Sequence, residues 1–110
     1  SSAARLIINE PIVEIPASTT KFGLELDTNL KYDLHRVKYL VTYNSGNPEE
    51  NWIEEVSHDS GNMYIKLAAN PTYEPRVAQI RLAISIPANT INGSPKVVTT
   101  STTITQLGKE

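Results

Sequence analysis

The chain has 110 residues, 10 Lys and Arg against 12 Asp and Glu, a formal net charge of −2 and no cysteine. That length suits one domain, able to bury somewhat over ~60% of its unfolded surface without a disulfide or metal. The charge balance lacks the basic stripe of a nucleic-acid binder and the polybasic segment of a membrane-surface contact, and the absence of Cys excludes thiol nucleophiles and thiolate metal sites while leaving the compartment open.

The first fifteen residues hold Leu6-Ile7-Ile8, then Ile12-Val13 and Ile15, punctuated by Pro11 and Pro16. Proline cannot donate to a β ladder, so residues 1–19 are expected to form an edge strand or leader of the same domain. No apolar run is long enough to span a bilayer as a helix. A start at Ser1-Ser2-Ala3-Ala4 without Met is expected of a processed or excised chain.

From Lys21 to Asp27 the pattern alternates, with Phe22, Leu24 and Leu26 on one face, which is a half-buried strand. Asp27-Thr28-Asn29 supplies a turn. Lys31 to Asn44 places Val37, Tyr39, Val41 and Tyr43 in one phase with Leu40 opposite. This reads as two short strands or one long strand kinked near His35. Asn44-Ser45-Gly46-Asn47-Pro48 is a loop.

Trp52 to Ser57 is a short strand closed by His58-Asp59-Ser60-Gly61-Asn62. Met63, Ile65, Leu67 and Ala69 then alternate with Tyr64, Lys66 and Ala68. Asn70-Pro71-Thr72-Tyr73-Glu74-Pro75 is a loop. Ala78, Ile80, Leu82, Ile84 and Ile86 give the clearest two-residue period. Asn92-Gly93 marks a tight turn. In the last strand Val98, Thr100, Thr102, Ile104 and Gln106 share a face. The sum is an all-β chain of about seven antiparallel strands without a helix. It predicts an immunoglobulin-like sandwich, with a closed barrel as the alternative.

Several motifs are best explained by the fold. Asn70 before Pro71 can satisfy turn backbone groups, Arg76 can lay its stem across the sandwich edge, and the Gln106 amide is expected to bond backbone at the rim. Trp52, the single Trp, can be a sugar-stacking platform or a core residue. The core reading is preferred, because a lone Trp in a sandwich usually anchors the core. A sugar site needs two or three coplanar aromatics rimmed by polar groups. The nearest set is Tyr64, Tyr73 and Trp52 with Asn70 or Glu74, although scattered exposed tyrosines are the plainer explanation.

Catalysis has little support. Glu49, Glu50, Glu54, Glu55 and Asp59 form an acidic run, but a glycosidase needs two carboxylates facing across a cleft. Ser57-His58-Asp59 are consecutive, unlike a triad assembled in space. The hard oxygens of Asp27-Thr28-Asn29 and Asp59-Ser60-Gly61-Asn62 follow no calcium-loop pattern. Asn92-Gly93-Ser94 matches a glycosylation acceptor. No metal site, cofactor or nucleic-acid partner is expected.

The second half carries a further pattern. Asn51-Trp52-Ile53 is followed by the Ser57 to Gly61 turn and a strand running into Ala69-Asn70. Arg76 then opens the next strand, and the chain closes on Thr103-Ile104-Thr105-Gln106-Leu107-Gly108. With Phe22-Gly23-Leu24 leading to Asn29, this order over residues 20–108 resembles the BACON domain of Bacteroidetes. The stretches between Asn29 and Trp52 and from Pro87 to Pro95 are longer than in that pattern. The resemblance implies a BACON-like β-sandwich over residues 20–110 and a non-catalytic place in secreted or lipid-anchored bacterial cell-surface proteins that handle polysaccharides. It implies either a spacer among other domains of a larger chain or a carbohydrate- or mucin-binding module. A protein-interaction or adhesion module using a sheet edge is the third expectation.

Overall fold

A computed structural model describes residues 3–45, 50–88 and 93–110. Gly46-Asn47-Pro48 of the expected loop, Glu49 of the acidic run and Asn92 of the turn and glycosylation motif lie outside them.

Among the described residues, eight strands form two four-stranded sheets. The first sheet orders β1 (Leu6–Ile8), β3 (Lys21–Thr28), β6 (Asn62–Leu67) and β5 (Ile53–His58). The second orders β2 (Ile12–Ile15), β8 (Lys96–Gln106), β7 (Arg76–Ile86) and β4 (Lys38–Tyr43). This is the strand order of an immunoglobulin sandwich whose first strand is split between the sheets. The expected fold class holds, with two differences. The leader divides into two strands, giving eight, and β2 pairs with β8 in parallel, so the strands are not all antiparallel.

The split has a local cause. β1 pairs antiparallel with β3, Leu6 opposite Thr28 and Ile8 opposite Leu26. Pro11 then interrupts the ladder, and the chain crosses to the other sheet, where Ile12 faces Thr103 and Ile15 faces Gln106. Backbone groups freed at such a crossing need partners. The Ile8 N–H donates to Thr100 Oγ1 (3.0 Å), and Thr102 Oγ1 donates to the Glu10 carbonyl (2.8 Å). Two threonines on the core face of β8 therefore serve the strand switch.

The core lies between the sheets and follows the two-residue period. Leu24 and Leu26 of β3, Met63, Ile65 and Leu67 of β6, Ala78, Ile80, Leu82 and Ile84 of β7, and Ile104 of β8 are all buried. Each large side chain among them contributes about 1.5–3 kcal/mol relative to exposure. The alternation of β6 stops at Leu67. Ala68 packs against the core while Ala69 is exposed, reversing the expected phase.

The segment near His35 forms neither two strands nor a kinked one. Leu34–Arg36 is one turn of 3₁₀ helix, followed by β4. Leu34 and Val37 are both buried, and a three-residue spacing brings them to one side of such a turn. The seam between edge strands β4 and β5 is closed by two tyrosines of β4. Tyr43 Oη accepts from the Ile53 N–H (3.1 Å), and the Tyr39 hydroxyl bonds His58 Nδ1. His58 Nε2 donates to the Leu34 carbonyl (2.8 Å), so in the neutral ring Nδ1 is the nitrogen that accepts from Tyr39.

Candidate functional site

The five residues expected to form a sugar site fall into two separate places. Trp52, Asn70, Tyr73 and Glu74 lie at the pole of the sandwich where β6 ends and β7 begins, and Tyr64 lies on the outer face of the first sheet.

At the pole, Asn70 is the hub. Its Nδ2 donates to the carbonyls of Glu74 (2.7 Å) and Leu107 (3.1 Å). Its Oδ1 accepts from the Thr72 N–H (3.0 Å) and Thr72 Oγ1 (2.8 Å). An amide offers two donors and two lone pairs, and all four are used, so Asn70 has no capacity left for a ligand. Glu74 enters this network through its backbone carbonyl. Gln106 is fully buried, and its Nε2 reaches the carbonyls of Ala17, Thr19 and Ala68 at 3.1–3.2 Å. Gln106 Oε1 accepts from Arg76 Nε (2.8 Å), and Arg76 Nη2 donates to the Ala68 carbonyl (2.8 Å). The structural roles expected of Asn70, Arg76 and Gln106 are the ones observed.

Trp52 is only 5% exposed, with the Arg76 guanidinium 4.6 Å above its ring and the Tyr43 ring at 5.5 Å. No sugar can stack on a ring covered in this way, and the core reading of Trp52 is correct. Among the described residues its buried indole N–H has no hydrogen-bond partner. Burial pushes the Arg76 guanidinium below its usual value, and the charge of Glu50 and then Tyr43 act in the opposite direction. Tyr73 is 71% exposed, with Lys109 Nζ 5.2 Å over its ring. Beneath it, a Cβ at Gly108 would collide with the backbone of Tyr73 and Glu74, which explains glycine at that position.

Tyr64 has a different setting. It is 43% exposed and sits opposite Gly23 in the β3–β6 register. A Cβ at Gly23 would meet Tyr64 Cδ1 at 3.4 Å and Cε1 at 3.6 Å, so the ring lies over the bare backbone of the glycine. The phenol donates to Asp59 Oδ2 (2.7 Å), in the turn at the end of β6 remote from the Asn70 loop. Asp59 Oδ1 in turn accepts from the N–H groups of Gly61 (2.9 Å) and Asn62 (2.8 Å). The Gly61 N–H, the Tyr64 hydroxyl and the Asn62 N–H hold the Asp59 carboxyl below its ordinary value. The hydrogen bond to Asp59 pushes the Tyr64 phenol up.

Around the ring runs a shallow groove of about 580 Å³ lined by Lys21, Gly23, Glu55, Ser57, Tyr64 and Lys66, with Phe22 and Ile65 below. It offers one fixed aromatic ring, two ammonium groups, a carboxylate and a hydroxyl. No second outward-facing aromatic lines it among the described residues. Tyr64 and Tyr73 therefore do not form one platform.

The acidic run is also dispersed. Asp59 is held in its turn, Glu55 stands opposite Lys66, and Glu50 acts on Arg76. The part played by Gly23 was not apparent from the sequence, since the glycine and the tyrosine it accommodates are far apart in the chain. Among the described residues, no group of three His, Asp or Glu is placed to hold a metal ion, and no helix is long and apolar enough to cross a membrane. Compared with known proteins, the chain matches no family model and no curated relative.

Proposed function

We propose that this chain is a non-catalytic, BACON-like spacer module of a bacterial cell-surface or secreted protein, set among other domains in a polysaccharide-handling system. The observation that carries this reading is the shape together with the placement of the chain's two ends. The sandwich measures 56 × 27 × 19 Å. The chain enters at the pole where Arg5 meets Asn29 and leaves at the opposite pole, where the Lys109 N–H bonds the Thr72 carbonyl. A domain threaded from pole to pole adds its full length to the distance between its neighbours. The polar residues that carry the family resemblance support the same reading, because Asn70, Arg76 and Gln106 are committed to backbone bonds within the fold.

The Tyr64 groove favours a second reading, a glycan-binding module. A ring laid against Gly23 and fixed by Asp59 is preorganised for a pyranose face, with Ser57, Glu55 and Lys66 at its rim. Affinity electrophoresis through gels cast with plant and mucin polysaccharides separates the two. The spacer reading expects unchanged mobility in every gel. Retardation by one glycan, abolished by Tyr64→Ala and retained in Tyr73→Ala, would replace it with the binding reading and place the site in this groove.

A further inference from the structure

We infer that the β2–β8 pair is a mechanical clamp, which makes this domain a load-bearing element when it is stretched along its length. β2 follows the entry of the chain, and β8 precedes its exit. The two strands are parallel neighbours, Ile12 to Ile15 against Thr103 to Gln106. Tension therefore pulls β2 back toward the Arg5 pole and β8 forward toward the Lys109 pole. The strands are driven to slide past each other along their own axes, and every bond between them shares the load at once. Strands pulled apart sideways would lose the same bonds one at a time.

The bonds in this shear path extend beyond the short ladder. The Thr103 N–H donates to the Pro11 carbonyl and the Leu107 N–H to the Ile15 carbonyl, each at 2.9 Å. On the entry side Thr100 and Thr102 tie Ile8 and Glu10 to β8, and on the exit side Gln106 ties Ala17 and Thr19. The entering segment from Ile8 to Thr19 is thus fastened to the last strand at both ends of β2 and within it. The bonds made by Thr102 and Gln106 are shielded, since both side chains are buried, so water cannot readily replace them. β1 adds a second sheared contact through its antiparallel register with β3.

The inference rests on the spacer reading only for the origin of the load, and its test is independent of any glycan. The chain has no cysteine, so paired thiol handles can be placed at will. One preparation is pulled from its two ends. A second is pulled through Lys38→Cys and Thr99→Cys. These positions are exposed, both stand in register with Ala83, and they lie on β4 and β8 to either side of β7, so force between them acts across the strands. Both preparations share one fold and nearly one stability, and the direction of force is the variable.

End-to-end pulling is expected to need at least about twofold more force, because several bonds must fail together. Equal forces, or a lower force end to end, would overturn the clamp while leaving the spacer standing. Thr102→Val deletes the hydroxyl bond to Glu10 at nearly constant volume. At constant end-to-end force it is expected to speed unfolding about fivefold, the effect of one ordinary hydrogen bond lost before the barrier. The transverse rate should not change. Equal acceleration in both directions would show that Thr102 supports the fold without bearing load, and would overturn its place in the clamp. Glycan retardation in gels would overturn the spacer reading and leave this comparison intact.

Discussion

A buried amide with every donor and acceptor engaged is sensitive to a change of one atom. In Asn70→Asp the group facing the Glu74 and Leu107 carbonyls becomes an oxygen with nothing to donate. Two carbonyls lose the amide donor, and a negative charge is left among acceptors at a site only 3% exposed. The variant is expected to lose about 2–4 kcal/mol of stability at neutral pH, and to recover part of it in acid as the new carboxyl protonates. Urea unfolding at pH 7 and pH 4 with an unchanged m-value would measure this, and an unshifted midpoint at pH 7 would show that the amide is dispensable. At this scale the sequence was informative wherever a polar residue sat in an apolar phase or before a proline. Gln106 follows Ile104 on the core face of β8, and Asn70 precedes Pro71, so their backbone-bonding roles could be anticipated. Thr100 and Thr102 sit in the same phase, but their purpose depends on where the leader crosses between sheets, and nothing local to β8 encodes that.

Among the elements, the β5–β6 turn has the clearest electrostatic signature. Asp59 accepts from two backbone N–H groups and from the Tyr64 phenol, all of which favour its ionised form. Its carboxyl therefore titrates lower in the folded chain than in the unfolded chain, so the native state binds fewer protons. The resulting stabilisation is complete above the unfolded value, near pH 3.8, and is lost as pH falls through the folded value. A carboxyl-carbon NMR titration is expected to place the Asp59 midpoint below that of the unfolded chain, and Tyr64→Phe should move it upward. A midpoint unaffected by Tyr64→Phe would mean that the phenol does not hold the carboxylate. Strands β3, β6, β7 and β8 were legible because each buries one face of a sheet, and a buried face imposes alternation. The 3₁₀ turn at Leu34–Arg36 was not. Leu34 and Val37 are spaced by three, a signal too short to separate from a strand with one slipped residue. The parallel pairing of β2 was hidden for another reason: strand direction depends on which sheet the leader joins, and alternation is the same either way.

For the molecule as a whole, the question that matters for a spacer is length. The radius of gyration over Cα atoms is 15.9 Å, against about 13 Å for a compact domain of this size. Two strands of eleven residues, β7 and β8, account for much of the difference. At about 3.3 Å per residue each spans some 36 Å, longer than the shorter strands of the facing sheet can cover. Both sheets are open, and the tyrosine seam at β4–β5 and the strand switch at β1–β2 close their two sides, so the long axis is braced along both flanks. Small-angle scattering of the dilute chain is therefore expected to give a radius close to 16 Å and a pair-distance distribution with an elongated tail. A radius near 13 Å with a symmetric distribution would mean that the poles are not held apart in solution. The load-bearing geometry could still exist in such a molecule, but the reason to place it between neighbouring domains would be gone.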